Sequence, residues 1–455
     1  MFTSRNPATG ETGESYAELD AAAIEARLQK AARAYAAWRV SPLEERAALL
    51  TRIADRYTEN REKLARMATF EMGKTLNSAL AEVDKCANAF RFYAEKGAAM
   101  LADVETDLGG GRKAIARWSP QGAVLAVMPW NFPFWQVVRF LAPTIMAGNV
   151  GLLKHASNVP GCAQLIEDMV TQVGAPEGLF QNLHIKSDAV AGLIADDRIV
   201  AVTLTGSEGA GMKVAEQAGQ ALKKVVLELG GSDPFIVMPS ADLDKAAATA
   251  VKARIQNSGQ SCICAKRMIV HADVHDAFME RFVKGMQAVK TGDPLAPETD
   301  MGPLSSHKAR DEMTEQLKRA VAAGATLLFG GETPAGPGAY MLPAILTDIP
   351  RGAAVAREEF FGPVAMIFKA NDIDHAIEIA NDVPFGLGSS IWTNDPAERA
   401  RLVRDIEAGM VAVNEMLASD PHAPFGGIKR SGHGRELGRH GLHEFMNLKT
   451  VMVAG

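Results

Sequence analysis

Cysteine is scarce in this chain, with four in 455 residues. So few cannot build a disulfide framework at this length, and a reducing compartment is the natural setting. No apolar run is long enough to span a bilayer, and the opening Met1-Phe2-Thr3-Ser4-Arg5-Asn6 has no apolar signal region. A soluble, cytoplasmic protein is therefore expected. Lysines and arginines are scattered without a basic block and the net charge is only −6, so neither nucleic acid nor an anionic membrane is an expected partner. Short internal repeats, low-complexity linkers and the G-x-G-x-x-G fingerprint are also missing. What is present is 47% hydrophobic content over a length that favours two or three domains.

From Asp20, the residues Ile24, Leu28, Ala31, Tyr35 and Trp38 fall on one helical face. Ser41-Pro42-Leu43-Glu44 reads as a capping-box start for a helix through Tyr57, and a further helix runs from about Ser78 to Met100. Gly109-Gly110-Gly111 breaks the pattern, and Lys113 to Trp118 alternates like an exposed strand, an excursion from the first domain. From Ala123 to Leu204 strands and helices alternate, which implies a parallel sheet with ligands beyond the carboxyl ends of its strands. A second α/β region spans Asp242 to about Gly427.

Two stretches suggest chemistry. Asn257-Ser258-Gly259-Gln260-Ser261-Cys262-Ile263-Cys264 gives a cysteine a small, polar, glycine-containing approach. Cys262 is a candidate nucleophile, provided that donors, a base or a positive field favour its thiolate; the alternative is that Cys262 and Cys264 are small buried hydrophobes. No Cys or His cluster follows at ligand spacing, so no metal site is expected. Val225-Val226-Leu227-Glu228-Leu229-Gly230-Gly231 places one acid in an apolar strand, where burial raises a carboxylate toward the range of a general base. Thr205-Gly206-Ser207-Glu208-Gly209-Ala210-Gly211 sets glycines and a serine at a strand-to-helix junction suited to a phosphate.

With Pro129-Trp130-Asn131-Phe132-Pro133 and Pro424-Phe425-Gly426-Gly427, these stretches resemble the signature motifs of the NAD(P)-dependent aldehyde dehydrogenases, and the likeness runs from Asn6 to Val451. It implies an α/β fold with a Rossmann-type cofactor domain (1–108 and 122–229), an α/β catalytic domain (230–430) and a β oligomerisation arm (109–121 and 431–455). A homodimer or a dimer-of-dimers tetramer follows from that arm. Cys262 would then be the nucleophile, Glu228 the base and Asn131 an oxyanion donor. NADP or NAD would lie against Trp130, Lys154, Ser157, Gly206, Ser207, Glu359 and Phe361. Serine at 157, where NAD-selective relatives often carry a glutamate, favours good use of NADP within dual use. His155 follows Lys154 where the family usually has proline, and the N-terminus is short, which puts an early strand hairpin in doubt.

On the substrate side the resemblance points to Arg139, Trp135, Ser419 and Phe425. Arg139 lies two helical turns, roughly 12 Å, beyond Asn131 and resembles the carboxylate-holding arginine of members that oxidise succinate semialdehyde, with Ser419 assisting. Gln256 stands where many of those carry a second arginine, which suggests a looser clamp. A structural ion pair is the other reading of Arg139. Cys262 and Cys264 form a possible redox pair, since a bridge one residue apart is strained and easily reduced. The alternatives are a dehydrogenase for an uncharged or cationic aldehyde, one that passes its acyl group to coenzyme A, and a non-catalytic nucleotide-binding oligomer.

Overall fold

A computed structural model describes residues 1–455. The chain begins with an antiparallel hairpin of β1 (Phe2–Arg5) and β2 (Thr12–Tyr16). The hairpin that the short N-terminus put in doubt is thus present, pinned by buried Phe2 and by the Ser4 hydroxyl, which donates to the buried Glu71 carboxylate. Four helices follow: α1 (Ala21–Trp38), α2 (Leu43–Glu59), α3 (Arg61–Met72) and α4 (Leu76–Met100). The capping box expected at Ser41 does not form. Pro42 occupies the cap, while the Ser41 hydroxyl donates to the Trp38 carbonyl and accepts from the buried Arg46 side chain.

Next come β3 (Val104–Gly109), β4 (Arg112–Pro120), β5 (Ala123–Met128), α5 (Trp135–Ala147), β6 (Val150–His155), α6 (Pro160–Thr171), β7 (Phe180–Asn182), α7 (Val190–Ala195), β8 (Ile199–Thr205), α8 (Glu208–Gln220) and β9 (Lys224–Glu228). Strands β9-β8-β5-β6-β7 pair in parallel in that order. The chain runs outward from β5 in one direction and then returns to build in the other. That reversal opens a crevice beyond the ends of β5 and β8, the general ligand position of such sheets.

The second α/β unit contains β10 (Asp233–Val237), α9 (Leu243–Ile255), β11 (Ala265–His271), α10 (His275–Gln287), α11 (His307–Ala322), β12 (Thr326–Gly330), β13 (Ala344–Thr347), β14 (Val364–Ala370), α12 (Ile373–Asn381), β15 (Phe385–Gly386), β16 (Gly388–Trp392), α13 (Pro396–Asp405) and β17 (Met410–Val413). Its sheet order is β12-β13-β14-β11-β10-β16-β17, parallel except for β12. Alternate residues feed cores on opposite faces, Phe235 and Val237 on one and Ile236 on the other.

The chain closes with β18 (Ile428–Lys429), β19 (Gly432–His433), α14 (Gly438–His443) and β20 (Met446–Val453). Two expectations shift here. Gly109, Gly110 and Gly111, all at positive φ, make the turn of a β3–β4 hairpin, so the excursion begins at Val104 and not at 109. Residues 431–445 do not extend into the arm: β19 pairs with β9 and α14 packs on α5, because this segment closes over the end of the first sheet. Only β20 joins β4, in unbroken register from Met446↔Pro120 to Val453↔Lys113.

Candidate active site

The loop that presents Cys262 is held in an uncommon shape. After α9, three consecutive residues are left-handed: Asn257 (φ 54), Ser258 (φ 57) and Gly259 (φ 75). For a residue with a side chain that region costs about 1–2 kcal/mol. Hydrogen bonds hold it: Asn257 Nδ2 donates to the carbonyls of Asn131 (2.7 Å) and Gln260 (3.1 Å), and the Ser258 hydroxyl donates to Gly302 O at 3.0 Å. Gly259 is required because any side chain there would collide with the Gly362 carbonyl. Beneath the loop, fully buried Arg254 donates to Gly259 O and Gly362 O, and fully buried Lys266 donates to the carbonyls of Ser261 and Cys262, both at 2.7 Å.

The result separates the two neighbouring cysteines. Cys264 is buried, its thiol donating toward Gln256 O at 3.4 Å. Cys262 is half-buried and lines two cavities at once. One, of about 310 Å³, is walled by Trp130, Asn131, Gly206, Ser207, Glu359 and Phe361. The other, of about 140 Å³, reaches Lys85, Trp135, Arg139, Ser419 and Phe425. Asn131 bridges the loops: its Nδ2 donates to Gln260 O at 3.1 Å and keeps a second hydrogen, while its Oδ1 accepts from Gln136 at 3.3 Å. The Cys262 N–H takes no part in the chain's own backbone hydrogen bonding, which leaves a second donor beside the sulfur.

Burial pushes the Cys262 thiol up to about 12; Arg139 and Lys266 pull against this, while Glu359 and Glu228 add to it. Glu228, at the end of β9, is buried with neither carboxyl oxygen hydrogen-bonded, and it lies against Gly426 instead of lining either cavity. Burial drives its pKa well above the usual carboxylate range, Glu436 adds repulsion, and Arg139 and Arg435 oppose. A thiol and spare oxyanion donors stand between two cavities, with a buried carboxylate set back behind them.

Residues 1–451 match the Aldehyde dehydrogenase family. The chain belongs to that family. It is 53% identical over 451 residues to a succinate-semialdehyde dehydrogenase [NADP(+)] of Mycolicibacterium paratuberculosis, covering 98% of this chain and 96% of that protein. A second succinate-semialdehyde dehydrogenase [NADP(+)], from Mycobacterium ulcerans, is 53% identical over 454 residues, with 98% of each covered. Among solved structures, the succinic semialdehyde dehydrogenase of Streptococcus pyogenes in complex with NADP+ superposes with a TM-score of 0.98 at 38% identity, over 100% of both chains.

In this aldehyde dehydrogenase the larger cavity suits the nicotinamide end of a dinucleotide. Ser207 caps α8, accepting from Ala210 N, at the mouth of the crevice. Glu359 Oε1 is 3.1 Å from Lys266 Nζ, and its carboxylate lies where a side chain on Gly230 would have to go. Its neighbour Glu358 instead pairs with Arg319 at 2.7 Å on the surface. Trp130 and Phe361 meet edge to face at 5.9 Å. Lys154 and Ser157 lie beyond this cavity: Lys154 is nearly buried, its pKa lowered by burial and without an ion-pair partner, and Ser157 is exposed beside a smaller cleft. His155 replaces the usual proline by tying strand to loop. Its Nε2 bonds Pro133 O at 2.8 Å and its Nδ1 accepts from Ala156 N, so burial holds it neutral, down to about 4.

The smaller cavity differs from expectation in its charges. Arg139 lines it, but its Nε is 2.7 Å from Glu436 Oε2, with both side chains buried, and its guanidinium lies over Phe425 at 4.5 Å. Ser419 is in the wall as expected, and Trp135 Nε1 donates to it at 2.9 Å. Lys85, Glu82, Arg254, Lys266 and Glu436 were not singled out from sequence. None lies in one of the motif stretches, and only the fold brings them to the site.

Proposed function

We propose that the protein oxidises succinate semialdehyde to succinate with NADP+. The observation behind this reading is Cys262 itself, alone among the four cysteines at the meeting point of a cavity suited to the nicotinamide end of a dinucleotide and a short cavity with a cationic end. The 140 Å³ of the latter is well below the roughly 300–1,000 Å³ of drug-sized sites, as suits a four-carbon aldehyde. The relatives named above support both substrate and cofactor.

Aldehyde carbon is electron-poor and gives up hydride only after a nucleophile adds. Cys262 first gives its proton to water, and the thiolate so formed makes the C–S bond; the carbonyl oxygen becomes an oxyanion that accepts from the Cys262 N–H and the second Nδ2 hydrogen of Asn131. NADP+, when bound, accepts the hydride. What remains on the protein is a thioester. Glu228 takes a proton from the water that attacks it, the C–S bond breaks, and succinate leaves. Lys266 and Arg254 keep the loop fixed throughout. Arg139 acts through Cys262 and Glu436, biasing the thiol toward its anion.

Lys154 and exposed Ser157 leave room for a 2'-phosphate with no carboxylate at 157 to repel it, which favours NADP. The division of labour follows the sheets: the first and its helices serve the dinucleotide, and the second presents Cys262. The β20-β4-β3 arm leaves β3 exposed along its length, an edge suited to self-association. No helix is long and apolar enough to cross a membrane, and four free cysteines suit a reducing, cytoplasmic setting.

A panel of succinate semialdehyde, butanal and a cationic aldehyde, assayed with NADP+ and NAD+ and with and without coenzyme A, tests the reading. Succinate semialdehyde should be preferred, with free succinate as product whether or not coenzyme A is present. Faster oxidation of butanal, acyl-coenzyme A formation, or no turnover would overturn it.

A further inference from the structure

We propose that the Lys85 ammonium, together with the Ser419 hydroxyl, holds the far carboxylate of the substrate; the inference rests on the semialdehyde reading above. Lys85 projects from α4 into the cavity that Cys262 lines. It forms no ion pair. Its one hydrogen bond is donated to Ser419 Oγ at 2.8 Å, and its Nζ stands over the Trp135 ring at 4.4 Å. An ammonium has three hydrogens, so two remain to be placed.

Ser419 points the same way. Its oxygen accepts from Lys85 Nζ and from Trp135 Nε1, which occupies both lone pairs and leaves the hydroxyl hydrogen to be donated. The corner is therefore all donor. The other charges nearby are already engaged: Arg139 with Glu436, Glu82 with Lys74 and with the N–H groups of Phe134 and Trp135, and exposed Asp420 with His422. Gln256, also in the wall, is neutral. Lys85 is thus the unpaired cation of the cavity, and a carboxylate is the ligand that completes it.

Its titration agrees. Burial, then the charge of Arg139, bring Lys85 down to about 8, against opposite pulls from Cys86, Asp420 and Glu82. A bound carboxylate would offset both by direct attraction to the charged form, so anchoring should weaken as pH rises past that value.

The test compares kcat/KM for succinate semialdehyde and for butanal, which has the same chain length without the carboxylate, both with NADP+. Lys85→Met keeps the stem on Trp135 and removes the charge. It should lower the succinate semialdehyde value about 10- to 150-fold, mainly through KM, and change the butanal value by less than about threefold. Lys85→Arg should restore part of the loss, and Ser419→Ala should give a smaller loss of the same selectivity. In the wild type, KM for succinate semialdehyde should climb above about pH 8 while that for butanal does not. Equal losses on both substrates, or none on succinate semialdehyde, would overturn the assignment. Should Lys85→Met prove insoluble, Ser419→Ala and the wild-type pH profile decide it by the same criteria. A wild type that does not prefer succinate semialdehyde to butanal would instead refute the functional reading itself.

Discussion

Arg139→Ala should damage the enzyme on every aldehyde, and should do so through stability and thiol activation. The Arg139 and Glu436 side chains are 2% and 3% exposed, with Nε and Oε2 2.7 Å apart. Removing one member of a buried pair leaves the other's charge uncompensated, at a cost of about 3–5 kcal/mol. Burial already raises the Glu436 carboxyl, and Arg139 is the main opposing influence, so the variant should bury that acid protonated. Arg139 is also the largest force favouring the Cys262 thiolate, and a one-unit rise in the thiol pKa lowers the thiolate fraction about tenfold. Urea denaturation should show the loss of stability, and Arg139→Met combined with Glu436→Gln should recover much of it. Steady-state assays at pH 7 should show similar falls, about tenfold, in kcat/KM for succinate semialdehyde and butanal. A loss confined to succinate semialdehyde, with an unchanged denaturation midpoint, would refute this reasoning and make Arg139 itself the carboxylate clamp.

Cys262→Ala should abolish oxidation, while Glu228→Gln should release a burst of NADPH and then stall as a thioester visible by intact-protein mass spectrometry; activity surviving in Cys262→Ala but lost in Cys264→Ala would identify the wrong thiol. Because burial raises Glu228, its base form grows as pH rises, so wild-type turnover limited by thioester hydrolysis should increase from neutral to mildly alkaline pH. Ser157→Glu should shift preference from NADP toward NAD, read as the ratio of kcat/KM values; an unchanged ratio would remove Ser157 from cofactor choice. A Cys262–Cys264 bridge would require the buried Cys264 thiol to leave Gln256 O, so mild peroxide should inactivate only slowly; a linked peptide that disappears with dithiothreitol would show the bridge, and irreversible acids on Cys262 alone would end that idea.

Much of this architecture could be read from sequence because it depends on local patterns. Strand and helix alternation from Ala123 to Thr205 predicts the first sheet, in which Glu228 ends β9 and Asn131 follows β5, while Cys262 comes from the loop between α9 and β11. What escaped was set by distant contacts. Ser41 has every local mark of a cap, but its hydroxyl is taken up by Arg46 and the Trp38 carbonyl. Gly109 to Gly111 look like a boundary and prove to be a turn, since only pairing tells the two apart. Lys85 is one polar residue on a long helix, and nothing near it in sequence shows that Ser419, 334 positions away, will receive its hydrogen bond. Arg139 lies in the cavity wall, but its ion-pair partner is Glu436, on a segment the motifs do not cover.

The same distant contacts explain how a reactive thiol is kept quiet. Arg139 and Lys266 favour the Cys262 anion, yet each is already matched to an acid, Glu436 and Glu359. Their fields at the sulfur are therefore partly cancelled, Glu228 adds a further push in the opposite sense, and burial decides the balance in favour of the protonated thiol. A cysteine held this way should react slowly with casual electrophiles, which alkylation rates with iodoacetamide would check. An aldehyde in the 140 Å³ cavity meets it under different terms, because the substrate is fixed at its far end and its carbonyl oxygen lies against donors that gain only when negative charge forms there. Selectivity for the semialdehyde and protection of the nucleophile thus arise from one arrangement: paired charges around the sulfur and an unpaired one at the other end of the cavity.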